Sequence, residues 1–163
     1  MQGWQASYLG LRDLPRELTE FELQAFFSFG RNELELIARR RGDNHKLGLA
    51  LHIGFVRMSG RPLNSVRAVP AVLLRHLGSV LGIETPDLAS LRTLFDHQQQ
   101  ACEALGFAWM TEHQRRALVR ILRDEVAHSA DRERLLLHAR HWLYEHRLII
   151  VHDRAIRGLV AAA

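Results

Sequence analysis

Three arginines, Arg116, Arg120 and Arg123, recur at i, i+4 and i+7 in the segment TEHQRRALVRILRDEVAH. On a helix that spacing puts them on one face, while Leu118, Ile121, Leu122 and Val126 take the other. A guanidinium is a permanently charged planar fork of donors that matches phosphate oxygens and guanine edges. The stripe therefore predicts a helix laid on double-stranded DNA, with phosphate contacts setting register and a few side chains reading bases. The competing reading is a solvated face whose charges pair locally with Glu112 and Asp124. A short turn, Phe107 to Met110, precedes the helix. The motif is helix–turn–helix only in a loose sense, because the usual small residue and turn glycine do not fit.

Other basic side chains gather earlier in the chain. Arg39, Arg40 and Arg41 end a helical segment, with His45 and Lys46 just beyond, and Arg57 and Arg61 flank Gly60. Basic residues at a helix C-terminus are favoured by the helix dipole alone. The functional alternative is a phosphate clamp. Metal chemistry has little to build on. His138, His141 and Glu145 share a helix face, but no second pair of site spacing completes them, and the single Cys102 rules out a cysteine-built zinc site. The carboxylates sit mostly at helix starts, where capping and the dipole account for them: Glu20, Glu22, Glu33, Glu35, Asp43, Asp87, Glu112, Asp131 and Asp153. Walker, G-x-S-x-G and H-E-x-x-H patterns are absent. The sequence thus predicts no catalytic residue, no metal and no cofactor in this chain.

The elements that must position these residues read as helices throughout. Thr19 to Glu22 is a capping box opening a helix to about Ser28, and Asn32 with Glu35 repeats the pattern for a second helix to about Arg41, stopped by Gly42. Asp43 caps a third to about Met58, apolar nearly all round and hence central. Pro70 opens a fourth that ends by Gly82. Pro86 opens a fifth to Gly106, with a break near Arg92. Thr111 to Gln114 is another box, Asp131 caps the next helix to about Arg147, and a last one begins at Asp153. Leu148 to Val151 is the one β-branched cluster and allows at most a minor strand pairing. The fold class is all-α: an orthogonal multi-helix array with helix–turn–helix-like elements. Gly, Thr and Pro between Leu81 and Asp87 suggest two packed lobes, 1–85 and 86–163.

Composition bounds the partners. The 163 residues include 22 basic and 18 acidic side chains, a net charge of +4, and 47% are hydrophobic. That is a folded globular chain. Of the basic residues, 21 are Arg and only Lys46 is Lys, which suits phosphate recognition but also follows from a GC-rich genome. Residues 111–163 carry 10 basic and 7 acidic side chains, most of the excess. The most apolar run, Leu47 to Val56, is too short for a bilayer. No secretory signal is read at the start, so a cytosolic location without membrane contact is expected.

Four segments then resemble the N-terminal region of Tn-three-family replicative transposases: RRRGDNHKLGLALHIGFVRMSGRPL (39–63), VPAVLLRHLGSVLGI (69–83), TLFDHQQQACEALGF (93–107) and LIIVHDRAIRGLV (148–160). The opening LPRELTEFELQAFFSF resembles one branch of that family. The resemblance implies a helical region that binds the terminal inverted repeats of a transposon. Metal-dependent catalytic carboxylates of DDE type would lie in a C-terminal domain outside this chain. It carries over Arg40, Arg41, Gly42, Leu47, Gly48, Arg57, Gly60, Arg61, Thr93, His97, Gly106 and Phe107, with Leu47 and Gly48 as packing positions. Members often have a Tyr and an Arg shortly before the Thr93 position; here the stretch reads Asp87-Leu88-Ala89-Ser90. The implied partners are transposon-end DNA and the remainder of the transposase, in a bacterial, nucleoid-associated setting, with a homodimer left open. The alternative is a helical module for dimerisation or docking within the transposase.

Overall fold

A computed structural model describes residues 3–88 and 94–163, and over these the chain is an all-α multi-helix array. A 3-10 turn at Gly3–Tyr8 precedes eight helices: α1 (Glu20–Phe26), α2 (Arg31–Ala38), α3 (Asp43–Ser59), α4 (Ala71–Leu81), α5 (Leu94–Leu105), α6 (Glu112–Val126), α7 (Arg132–Glu145) and α8 (Asp153–Ala162). The chain forms two compact units. One comprises Leu11–Met58 and Pro62–Gly106 and holds α1 to α5. The other comprises Met1–Gly10, Ser59–Arg61 and Phe107–Ala163 and holds α6 to α8.

The α1–α5 unit is organised by α3. Leu47, Leu49, Leu51, Ile53, Phe55 and Val56 are all fully buried, as its all-round apolar pattern requires. Gly54 lets Phe27 lie against the α3 backbone, since a Cβ there would overlap the Phe27 ring. Gly42, in the left-handed region at φ 82°, turns the chain from α2 into α3.

Two expected boundaries move. The α2 cap is Gly30, whose N–H donates to Glu33 Oε1 at 3.3 Å, two residues before the Asn32–Glu35 box read from the sequence. A glycine offers no side-chain oxygen, so only the returning carboxylate marks the start. Residues 86–88 are not helical, and the Pro86 ring lies beside Gly78 of α4, where a Cβ would meet Pro86 Cγ at 3.0 Å. The described part of α5 runs Leu94–Leu105, and Thr93 and the expected break near Arg92 lie outside the described residues.

The α6–α8 unit packs three helices around Leu118, Leu122, Leu136, Ala139, Leu143, Ile156 and Leu159, joined by Leu9, Leu148 and Ile150. The segment after α7 is extended and laced by backbone bonds. Ile149 N–H donates to Ala108 O at 2.9 Å, Ala108 N–H to Arg147 O at 3.0 Å, and Ile150 N–H to Gly60 O at 3.0 Å. The only β feature among the described residues is the parallel bridge between Ala108 and Leu148. Among those residues no helix is long and apolar enough to cross a membrane.

Candidate nucleic-acid interface

Helix α6 is well specified locally. Gln114 N–H donates to Thr111 Oγ1 at 3.3 Å and Thr111 N–H to Gln114 Oε1 at 2.8 Å, the two arms of a capping box worth about 1 kcal/mol. Leu118 and Leu122 are fully buried in the unit's core, which fixes the helix's rotation. The same rotation turns Arg115, Arg116, Arg120 and Arg123 outward, all exposed. Together with His113, Val119 and Ala162 they line an open groove of about 580 Å³.

Charge in this groove is only partly answered. Glu112 lies 3.4 Å from Arg116 and 3.7 Å from Arg115, exposed helical pairs worth about 0.5 kcal/mol at most. Among the described residues no carboxylate pairs with Arg120. Arg123 donates from Nε to Ala163 O at 3.3 Å and from Nη2 to Ala162 O at 3.4 Å, a favourable place for a cation at the C-terminus of α8. The imbalance extends to the whole unit. The α6–α8 unit holds 11 basic and 7 acidic side chains, and the α1–α5 unit 11 of each, so the chain's entire net charge of +4 falls on the unit with the groove. Arg116 to Arg123 spans about 10 Å along the helix, the rise of about three phosphates on one DNA strand.

The other expected contacts behave differently. Arg57 is half-buried. Its guanidinium pairs with Glu33 and donates to Phe26 O at 2.9 Å, binding α3 to the end of α1 and to α2. Arg61 is buried, with Nη2 3.1 Å from His152 Nδ1. His97 is fully buried, its ring centroid 5.9 Å from that of His52 and 5.6 Å from that of His45. Burial, then the neighbouring His52 and Arg40 charges, lower the His97 pKa to about 4, so it is neutral near pH 7. Each of these three side chains is engaged within the fold, by Glu33 and Phe26 O, by His152, and by the surrounding imidazoles respectively. Arg40 is largely buried as well. Its Nη1 donates to Asp96 Oδ2 at 2.9 Å, and its Nε and Nη2 are buried with no hydrogen-bond partner among the described residues. Arg41 is exposed and Lys46 half-buried, beside the Gly42 turn.

His138, His141 and Glu145 line a shallow depression with Trp142, and His138 Nδ1 lies 3.7 Å from Glu125. Among the described residues no three His, Cys, Asp or Glu side chains converge as metal ligands. The sequence reading passed over Arg115 and His113. Arg115 stands one residue off the i, i+4, i+7 series, and only the groove's far wall makes it part of the set.

A family model described as "Domain of unknown function (DUF4158)" matches residues 5–163. The chain is 61% identical, over its full length, to the transposase for insertion sequence element IS1071 in transposon Tn5271 of Comamonas testosteroni. It is 22% identical, over 80% of its length, to the transposase for transposon Tn1546 of Enterococcus faecium. It spans only 17% and 14% of the length of those two proteins.

Proposed function

The chain belongs to the DUF4158 family, and from that premise we propose that it is the DNA-binding region of a transposase. On this reading it recognises transposon terminal inverted repeats and positions a catalytic domain located elsewhere in the parent protein. The single observation that carries the reading is the α6 groove, walled by Arg115, Arg116, Arg120 and Arg123 on the unit that holds the chain's net positive charge. A groove of guanidinium groups with one touching carboxylate among the described residues, Glu112, is matched to a phosphate backbone and would draw in a polyanion from a distance. The transposase relatives supply the class of DNA, and the resemblance to the Tn-three family supplies the inverted repeats. The region contributes binding and orientation, and no cleavage or joining step is assigned to it.

Fluorescence anisotropy with a labelled inverted-repeat duplex and a scrambled duplex of equal length tests the proposal. The expected result is tighter binding of the inverted repeat, with both affinities falling steeply as salt rises. Equal affinity for the two duplexes would remove the sequence-specific part of the proposal. A second reading, docking to other parts of the transposase or to a second copy, is favoured by the balanced charge of the α1–α5 unit. Sedimentation of the chain with and without DNA separates it from the first.

A further inference from the structure

Trp109 is 65% exposed, the most exposed large apolar side chain among the described residues. It stands two positions before the Thr111 cap of α6. Its flanks are held. Ala108 is bonded through both its N–H and its C=O to the 147–149 segment, and Thr111 is fixed by the capping box. The neighbouring apolar side chains already serve the core: Phe107 is buried, meeting Tyr144 edge-on at 5.5 Å, and Met110 packs against the α6–α8 core. Trp109 alone is turned out, on a backbone anchored at both sides.

Trp109 is not itself among the residues that line the arginine groove. His113, which lines the arginine groove, is four residues away. Four residues reach at most about 14 Å, the rise of about four nucleotides on one strand. A DNA strand seated in the groove through its phosphates and running on by that length would bring bases to the N-terminal side of α6, where Trp109 is exposed. Within uninterrupted duplex each base face is covered by its neighbours and only the edges are offered. An indole gains most from a base whose face is open.

Resting on the DNA-binding reading above, we infer that Trp109 is a stacking platform for a nucleobase at the N-terminal end of the α6 groove. The site is thereby selective for DNA that exposes a base face, at a strand end or an unpaired stretch, over closed duplex.

The test uses the 163-residue chain with two DNAs of the same duplex sequence. One has both ends closed by hairpins, and the other carries a short single-stranded overhang with 2-aminopurine in it. The parent should prefer the overhang DNA and quench the 2-aminopurine on binding. Trp109→Ala should lower affinity for the overhang DNA by roughly ten-fold and abolish the quench, with closed-duplex binding unchanged. Trp109→Phe should keep part of both effects, and its smaller change also guards against a folding defect, which thermal melting monitors. A Trp109→Ala variant that keeps the parent's preference and quench overturns the inference. So does one that weakens both DNAs equally. If the parent binds neither DNA, the underlying DNA-binding reading fails first, which is a different and separately visible result.

Discussion

Replacing Arg116, Arg120 and Arg123 with Ala, singly and together, probes the groove with a magnitude that the geometry sets. Each arginine that neutralises a phosphate contributes about 0.9 to the slope of log K against log salt. Between 50 and 200 mM salt, one lost contact reduces the salt-driven fall in affinity by about 3.5-fold, and three by about 40-fold. The structure ranks the singles. Arg120 has no carboxylate partner among the described residues, so its loss should change the slope by nearly the full amount. Arg116 is shared with Glu112, so part of its charge is already answered and its effect should be smaller. Arg123 also holds the α8 terminus, so its replacement should cost stability as well, about 0.3–1 kcal/mol. Melting points of the first two should be nearly unchanged, because exposed substitutions, and exposed helical ion pairs such as Arg116–Glu112, alter stability by about 0.5 kcal/mol or less.

The assay is anisotropy across a salt series for each variant, on inverted-repeat and scrambled duplexes, with melting checked in parallel. A uniform loss on both duplexes identifies a phosphate contact. A loss of about 1–3 kcal/mol confined to the inverted repeat identifies guanine readout. A folded triple variant with the parent's affinity and slope would show that α6 is a solvated face. The surface would then have to be sought near Arg41 and Lys46.

Other consequences follow from the framework. Glu112→Gln should strengthen binding at low salt, severalfold at most, by releasing Arg115 and Arg116; unchanged affinity in the same titration would place those two outside the contact. Arg57→Ala should destabilise by roughly 1–3 kcal/mol, since it strands Glu33 and two backbone carbonyls, while leaving the salt slope of DNA binding as it was; urea titration and anisotropy read the two halves. Gly54→Ala should cost a similar roughly 1–3 kcal/mol in urea by driving a methyl group into the Phe27 ring. Buried His97, with a folded pKa of about 4, and His52, also lowered, take up protons more readily when unfolded. The His97 contribution to stability is therefore complete above about pH 6.5 and is lost as pH falls toward 4, and His52 acts in the same direction. Each removes at most about 1.4 kcal/mol per pH unit, and His97→Gln should flatten that acid limb in urea melts.

The features legible in the sequence are those decided within one helix. The α6 stripe, the Thr19, Thr111 and Asp131 caps and the all-round apolar character of α3 are local periodicities, and the structure forms the corresponding helices. Arg57, Arg61 and His97 were illegible for the opposite reason. Arg57 meets Glu33, 24 positions earlier, and Arg61 meets His152, 91 positions later. His97 sits between Asp96 and Gln98, so nothing in its own neighbourhood in sequence announces burial. A basic side chain beside a turn reads the same whether it awaits a phosphate or a distant carboxylate; only the fold supplies the partner. The converse explains why the groove carries the functional reading. Its arginines are anchored by a helix whose core face is fixed by Leu118 and Leu122, and three of the four extend outward without reaching any distant element of the unit. The exception, Arg123, donates to the Ala162 and Ala163 carbonyls of α8, so one guanidinium both lines the groove and joins two helices of the unit that carries it.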